Sequence, residues 1–311
     1  MARQPALPRN QASPTQTGRQ RRRAFKQIQT ALAGIQRGVL QRFEQIGYRE
    51  VAANAQGDDR TYEYLLDQFV LDDVNAYIAE LINEWIIRAI NGEPIVVGQA
   101  ELAYQQSTAA SVVSLAAQTE AFRRTVEETL ISAPYRTRIA LLRARIFEEM
   151  RGFSDQLRTE LARTLADGMA RGQSPRVIAR TIKARIGVRA LDDGSTTGAR
   201  ARAERIARTE INVAHRRAIW EEDAQTNAEG IRTRLLWVSA LSATTRPTHA
   251  SRHGHTYTRA EVQEFYARDG NAINCKCTQV AILVDEKGKP LSDALPGKLQ
   301  LQGRQFFKAA A

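Results

Sequence analysis

The chain has 311 residues, a formal net charge of +11 at pH 7, 43% hydrophobic residues and only 6% aromatic ones. Its two cysteines, Cys275 and Cys277, exclude a small extracellular fold held by several disulfides, and a Cys-x-Cys pair has poor geometry for a disulfide of its own. No apolar run approaches ~18 residues and Met1–Arg23 lacks the apolar core of a secretory signal, so we expect synthesis in the cytoplasm and no membrane partner.

Residues 1–19 are predicted to form a disordered basic arm. Pro5, Pro8, Pro14 and Gly18 stand among Gln, Thr and Ser residues, a composition that buries too little apolar surface to offset the entropy of ordering. Nine basic residues precede the first acidic residue, Glu44. This clustering favours contact with a polyanion, while a solvated tail without a partner is the alternative. The expected contacts to nucleic acid are Arg19, Arg21, Arg22, Arg23 and Lys26.

Residues 20–190 are predicted to be a long helical region, because apolar residues recur there at spacings of three and four. The pattern predicts helices over Gln20–Tyr48, Tyr62–Asn91 and Glu101–Ser132, the last one closed by Pro134. Ala, Leu, Ile and Val make up most of the apolar positions, which also favours helices.

Two shorter helices with sharper boundaries are predicted next. Ser154 is a suitable N-cap for the first of them, which a glycine then ends. Ser174 and Pro175 are suited to the N-cap and first turn of the second, and Gly187 to its C-cap. Residues 191–198 are predicted to be a flexible loop and a domain boundary.

Residues 199–284 are predicted to form a small α+β domain, and residues 285–311 a C-terminal tail. A helix is expected over Ala201–Glu222, and strands over Arg232–Ala240 and Thr278–Val284, where β-branched and aromatic residues concentrate. The predicted fold class is therefore mostly α, with a long helical N-terminal region followed by this small α+β domain.

Five short elements follow one another between Ser154 and Val284. They are Leu165-Ala-Asp-Gly168 with Gly172-Gln-Ser-Pro175, then Arg205-Ile-Ala-Arg-Thr-Glu210, Trp237-Val-Ser239, Thr245-Arg-Pro-Thr-His249 with Gly254, and Asn274-Cys-Lys-Cys277. Each element alone is a weak signal. In this order and at this spacing they resemble the Mu F-type phage head morphogenesis family.

The resemblance implies a minor capsid protein, present in few copies, and no enzymatic activity. Members of that family associate with the portal vertex or the internal head surface and assist head assembly or DNA passage. It therefore implies a location inside the virion, with portal protein and/or major capsid protein as partners and nonspecific contact with packaged double-stranded DNA. Head morphogenesis, DNA packaging and DNA ejection are the roles expected.

The resemblance also implies a structural motif. Its residues are Arg205, Arg208, Thr209, Glu210, Trp237, Arg246 and Asn274. We expect Glu210 to bind the loop that carries Arg246, and Arg208 to bond backbone carbonyls of the strand. Ordinary surface ion pairs, worth ~0.2–1 kcal/mol, are the alternative explanation for these charges.

The clustered histidines and the two cysteines are candidate zinc ligands. A tetrahedral Cys₂His₂ site could form from Cys275, Cys277, His249 and one of His253 or His255. Such a site would connect a loop to the last strand of a unit with a small core. The Cys-x-Cys spacing is tighter than usual for zinc, and an unmetallated loop with hydrogen-bonded histidines is the alternative.

The sequence departs from the family pattern at these candidate ligands. Many members carry Asp-x-Arg-Thr-Cys-Pro-x-Cys where this chain has Ser242-Ala-Thr-Thr-Arg246-Pro-Thr-His249. Many also carry His-Pro before Asn-Cys-x-Cys, where this chain has Ala272-Ile273. A metal site is therefore not carried over from the resemblance.

Two other functions are alternatives at this stage. One is a standalone nucleic-acid-binding protein without sequence preference, which the basic charge supports. The other is a metal-dependent nuclease that uses a histidine as general base. The nearest carboxylates, Glu261 and Glu264, belong to a following helix over Arg259–Arg268, and the sequence has no phosphate-cradling glycine loop.

Overall fold

A computed structural model describes residues 4–51, 61–65 and 68–310, without the side chains of residues 68, 69 and 310. Residues 1–3 of the predicted arm, residues 52–60 and 66–67 of the predicted helical region, and Ala311 of the predicted tail lie outside the described residues. The mostly α fold with a small C-terminal antiparallel sheet is confirmed. In the described part of the chain, no helix has both the length and the apolar character needed to cross a bilayer.

The elements, in chain order, are α1 (Gly18–Glu44), β1 (Tyr48–Val51), β2 (Thr61–Tyr64), α2 (Gln68–Ile82), a π-helical turn (Asn83–Ile87), α3 (Val97–Gln118), α4 (Val126–Ile131), α5 (Ala133–Ala170), α6 (Pro175–Ile186), α7 (Gly198–Ala228), β3 (Thr233–Val238), α8 (Pro247–Ala250), β4 (Thr256–Tyr257), α9 (Arg259–Ala267), β5 (Thr278–Leu283) and α10 (Ala294–Ala310).

The chain divides into two compact units that are not continuous in sequence. The sheet unit comprises Met1–Arg22, Gly98–Leu142 and Arg208–Ala311. The hairpin unit comprises Arg23–Val97 and Arg143–Ala207. The sequence predicted a linear division into residues 20–190 and 199–284. That division was wrong because a helical segment from the middle of the chain packs with the C-terminal sheet.

In the hairpin unit, glycines on α1 allow close helix packing. A Cβ atom on Gly34 would lie 2.6 Å from the Trp85 ring, and one on Gly38 would lie 2.5 Å from Leu81. Strands β1 and β2 pair antiparallel, with Tyr48 opposite Tyr64. The helix predicted from Tyr62 therefore begins only at Gln68, since the Thr- and Tyr-rich segment before it has the composition of a strand.

Several predicted helix boundaries were wrong around α5. Pro134 lies in the first turn of α5 and does not close the preceding helix. Proline is tolerated there because the first turn of a helix has no N–H partner to lose, and the Ser132 hydroxyl caps the turn by accepting from the Tyr135 N–H at 3.2 Å. Ser154 lies inside α5, where it is buried and caps nothing. The boundaries predicted for α6 are confirmed, since Ser174 caps its start and Gly187 ends it.

The sheet unit contains an antiparallel sheet in the order β4-β3-β5. The two longer strands, β3 and β5, are the ones predicted from the sequence. One face of the sheet packs Leu235 and Trp237 with Trp220, Phe265 and Tyr266. The other face packs four apolar strand residues against Leu295 and Leu299. Because α10 carries those two leucines, it packs into the core, and the prediction of a trailing tail was wrong for this helix.

The N-terminal segment is also packed in the sheet unit. Thr15 and Thr17 are buried, the Ala6 N–H donates to Ser114 Oγ at 3.2 Å, and Leu7 contacts the second core cluster. The disorder predicted for residues 1–19 is therefore wrong for the described residues 4–19. Packing against the folded unit orders the proline and threonine residues of this segment. A prediction from local composition does not account for such packing.

Candidate functional site

Three predicted ligands, His249, Cys275 and Cys277, come together in the sheet unit. His249 lies on α8 and the two cysteines directly precede β5, and all three are buried. His249 Nδ1 lies 3.4 Å from Cys275 Sγ and 3.7 Å from Cys277 Sγ. The donor atoms of the three residues all lie within 4.8 Å of one another. Tetrahedral zinc, with its usual bond lengths, would place nitrogen and sulfur about 3.6 Å apart, so these separations fit.

A neighbouring amide orients His249. The Asn271 side-chain N–H₂ donates to Phe265 O at 3.0 Å, which turns its oxygen toward His249 Nε2 at 3.2 Å. Arg246 Nη1 also lies 3.3 Å from Nε2 but donates to the Asn271 carbonyl, so we assign the ring proton to Nε2, with Nε2–H donating to the Asn271 side-chain oxygen. Nδ1 then presents its lone pair to the two sulfurs. A metal-binding histidine ordinarily has its other ring nitrogen held in this way.

The fourth ligand predicted from the sequence does not join this group. His253 Nδ1 accepts from the Ser239 N–H at 2.9 Å, and its Nε2 faces Gln302. His255 is exposed. Among the described residues, the three-membered set is the only group of at least three His, Cys, Asp or Glu residues close enough to hold a metal. The predicted Cys₂His₂ site is therefore not assembled, because the chain turns between His249 and His253.

The two thiols differ in their electrostatics. Hydrogen bonding from Cys277 holds the pKa of Cys275 well below its usual range, and His249 and the Arg216 guanidinium lower it further. The same bond, together with burial, raises the pKa of Cys277. Of the two thiols, Cys275 is therefore the one that more readily becomes a thiolate, and the positive charge of Arg216 stabilises it. A thiolate is the form of cysteine that binds metal.

Aromatic rings surround the cluster. Trp237 stacks on Tyr266 with ring centroids 5.2 Å apart, and its ring lies 6.1 Å from that of His249. Phe265 approaches His249 edge-on at 4.9 Å. Arg216 is fully buried and lies 4.4 Å over the Tyr266 ring. The predicted motif residue Trp237 thus forms the apolar wall of the cluster.

Three more predicted motif residues form a clasp between α7 and the turn before β5. Arg208 donates to the Asn274 side-chain oxygen at 3.2 Å, and the Asn274 N–H donates to Thr209 Oγ1 at 3.2 Å. Asn274 has a left-handed backbone, with φ of 56°, which asparagine adopts more readily than most residues. The contact from Arg208 to the Asn274 side chain was not predicted from the sequence.

The remaining motif residues are Arg246, Glu210 and Arg205. Arg246 donates to the carbonyls of Asn271 at 3.2 Å and Ile273 at 2.9 Å. It thereby connects the loop before α8 to the loop before the cysteines. Glu210 is buried on α7. Arg205 is exposed in the hairpin unit and lines a surface depression there.

Sequence reasoning missed the polar residues that support the cluster from α7. Asn212 and Arg216 both donate to the Cys275 carbonyl, at 2.8 and 3.2 Å. Asn212 also accepts from Thr17 Oγ1 at 2.6 Å. Both residues are fully buried and lie four residues apart. Two polar side chains on the apolar face of a helix were the signal that could have revealed them.

The predicted nucleic-acid contacts lie at the start of α1, on a formed helix rather than a flexible arm. Arg19, Arg22, Arg23 and Lys26 are exposed, and none of them forms an ion pair with a described residue. Arg21 is half-buried, and burial together with the charges of Arg208 and Arg22 lowers its pKa. The four exposed residues repeat at spacings of three and four, which places them on one helix face.

Residues 159–280 match the model of a family described as Phage Mu protein F like protein. The match confirms, for this segment, the resemblance predicted from the five sequence elements, and the segment is less than half of the chain. No curated protein matches the chain, and no solved structure does.

Proposed function

We propose that this chain is a minor head protein of a tailed phage that lies inside the capsid near the portal. In this proposal it binds portal protein and/or major capsid protein and assists head morphogenesis and the packaging or ejection of DNA. The observation that carries the proposal is the match of residues 159–280 to a phage Mu F-like family, which supports a role related to the phage head.

The contacts of the sheet unit support a structural role over a catalytic one. The grouped histidine and cysteines are buried and enclosed by aromatic rings, so a substrate would have no direct access to them. Their neighbours hold loops together, as Arg246 and the Asn274 clasp do. Loops held rigidly in this way suit assembly on another protein better than they suit catalytic turnover.

An asymmetric cryo-EM reconstruction of intact particles tests the location. We expect density for the chain at the inner face of the portal vertex or shell. Particles that carry the chain with a small C-terminal tag provide the control, because the tag adds density at one position of the chain only. Density on the outer surface, or absence of the chain from purified particles, would refute the proposal.

We also propose that His249, Cys275 and Cys277 hold a zinc ion as its three protein ligands. The separations and the orientation of His249 support this assignment. Bound zinc would connect α8 to the turn before β5 and stabilise the fold of the sheet unit.

Elemental analysis of protein purified without chelator tests the zinc proposal, with about one zinc per chain expected. Replacement of His249 by alanine should abolish binding, whereas replacement of the exposed His255 by alanine, as the matched control, should leave the stoichiometry unchanged. Wild-type protein with substoichiometric zinc, or an equal decrease in both variants, would contradict the proposal.

The exposed basic face of α1 is proposed to contact packaged DNA without sequence preference. Its residues are Arg19, Arg22, Arg23 and Lys26, and their charges have no acidic partner among the described residues. Neutralisation of three of these residues should lower the affinity for duplex DNA and the steepness of its salt dependence.

A further inference from the structure

The region from Gly168 to Leu191 carries a second concentration of positive charge, separate in sequence from α1. It contains no acidic residue and six basic ones, Arg171, Arg176, Arg180, Lys183, Arg185 and Arg189. All six side chains are exposed, and none forms an ion pair with a described residue. Four of the six lie on α6 itself.

The helix α6 is fixed with its basic residues outward. Ile178, Ile182 and Ile186 are fully buried, so the apolar face is held in the core of the hairpin unit. Ser174 caps the start, with its hydroxyl accepting from the Val177 N–H at 3.3 Å. Gly168 of α5 allows close approach, since a Cβ atom there would lie 2.6 Å from Ile178. The basic face is therefore preorganised.

The placement of these charges opposes the stability of the helix. Arg176 lies in the first turn of α6, where the helix dipole favours negative residues. Arg176 and Arg180 are like charges four residues apart, an arrangement that costs ~0.2–0.5 kcal/mol on an isolated helix. Helix stability therefore gives no reason for the basic residues in this half of α6. Binding of an external anion would explain these basic residues.

From this geometry we infer that the exposed face of α6 binds the phosphate backbone of double-stranded DNA without sequence preference. The inference rests on the proposed function and adds a second DNA contact to it. Arg176, Arg180 and Lys183 lie at spacings of four and three, about 6 and 4.5 Å apart along the helix axis. Long basic side chains at such intervals can reach successive phosphates, and arginine binds phosphate oxygens in pairs.

Other anionic partners fit this face less well. An anionic membrane would need the apolar face of the helix, which the core already occupies. An acidic protein surface would ordinarily meet aromatic or apolar groups at the centre of the contact. In α6, all of which the structure describes, Val177 is the one large apolar side chain that is exposed, at 37%. A polyphosphate needs no such group.

The test measures binding of the full chain to a labelled DNA duplex of about 30 base pairs, which is longer than α6. Binding is followed by fluorescence anisotropy between about 50 and 200 mM salt. The α6 variant carries Arg176→Gln, Arg180→Gln and Lys183→Gln. The matched control carries Lys287→Gln, Lys298→Gln and Arg304→Gln, which are exposed residues of the sheet unit that change the net charge equally. Circular dichroism checks that both variants are folded.

We expect the α6 variant to lower the slope of log affinity against log salt by about 2.7, or about 0.9 for each phosphate that the variant no longer neutralises. Over this fourfold change in salt, wild-type affinity should then fall about 40-fold more than the affinity of the variant. The control should keep nearly the wild-type slope.

Each other outcome is decisive. Equal slopes for the α6 variant and the control would overturn the inference, and the proposed function would stand if the basic face of α1 alone carried binding. Wild-type protein that binds no DNA would refute both DNA contacts. Binding to polyglutamate in place of DNA, with the same dependence on α6, would overturn the inference in favour of an acidic protein partner.

Discussion

Asp223 provides a test of the electrostatics of the sheet unit. It is 3% exposed, and its Oδ1 accepts from the Thr233 hydroxyl at 2.7 Å. Burial raises the pKa of Asp223 from 3.8 to about 6, against smaller opposing effects of Thr233 and Arg259. The folded state therefore favours the protonated carboxyl. Ionisation in the folded protein costs about 3 kcal/mol relative to the unfolded chain.

The sign of the pH effect follows from this difference. Between about pH 4 and 6 the unfolded chain loses the proton while the folded carboxyl keeps it, so the stability of the wild type falls as pH rises through this window. Asp223→Asn keeps an acceptor for Thr233 and cannot ionise. The free energy of unfolding of the variant minus that of the wild type should therefore rise by about 2.4 kcal/mol from pH 4 to pH 8, because the unfolded carboxyl is already more than half ionised at pH 4.

Urea unfolding followed by circular dichroism at several pH values measures this difference, and subtraction cancels the titration of groups common to both proteins. Glu264→Gln, at an exposed carboxylate on α9, is the control and should change by no more than about 0.5 kcal/mol over the same range. A difference for Asp223→Asn that stays constant from pH 4 to pH 8 would show that this carboxyl is not held in its protonated form.

Three further perturbations test the packing. Burial lowers the pKa of His215 to about 3, and Ser107 and Thr278 form hydrogen bonds with its two ring nitrogens. The wild type should therefore lose stability as pH falls below about 6.5. His215→Gln should flatten this decrease in acid unfolding experiments, and parallel curves for the two proteins would contradict the assignment. Leu299→Ala should lower the free energy of unfolding by about 2–5 kcal/mol, because Leu299 is buried against the sheet. Leu301→Ala, at an exposed position of the same helix, should lower it by less than about 0.5 kcal/mol. Equal urea midpoints for the two variants would mean that α10 is not part of the core. Gly187→Ala and Gly194→Ala both place alanine at positive φ, which costs ~1–2 kcal/mol. Only the first brings a Cβ atom within 2.2 Å of a backbone oxygen, at Thr197, so it should cost about 1–3 kcal/mol more in the same assay, and equal effects of the two substitutions would refute the close approach.

Local signals in the sequence were sufficient where they act within a few residues. The boundaries of α6 followed from Ser174 and Gly187, because capping satisfies backbone groups of the same turn. The strands β3 and β5 followed from their β-branched and aromatic residues. Local signals misled at Ser154 and Pro134, since α5 continues past one and begins at the other.

The amino-acid sequence was enough to establish that the fold is mostly helical, that positive charge gathers at the start of the chain, and that residues near the cysteines resemble a phage head family. It could not establish that His249 meets both thiols while His253 turns away, because that depends on a turn between them. Nor could it place residues 4–19 and α10 in the sheet unit, where both are packed. Contacts between residues far apart in sequence leave no periodic pattern in either segment, so no local rule could have found them.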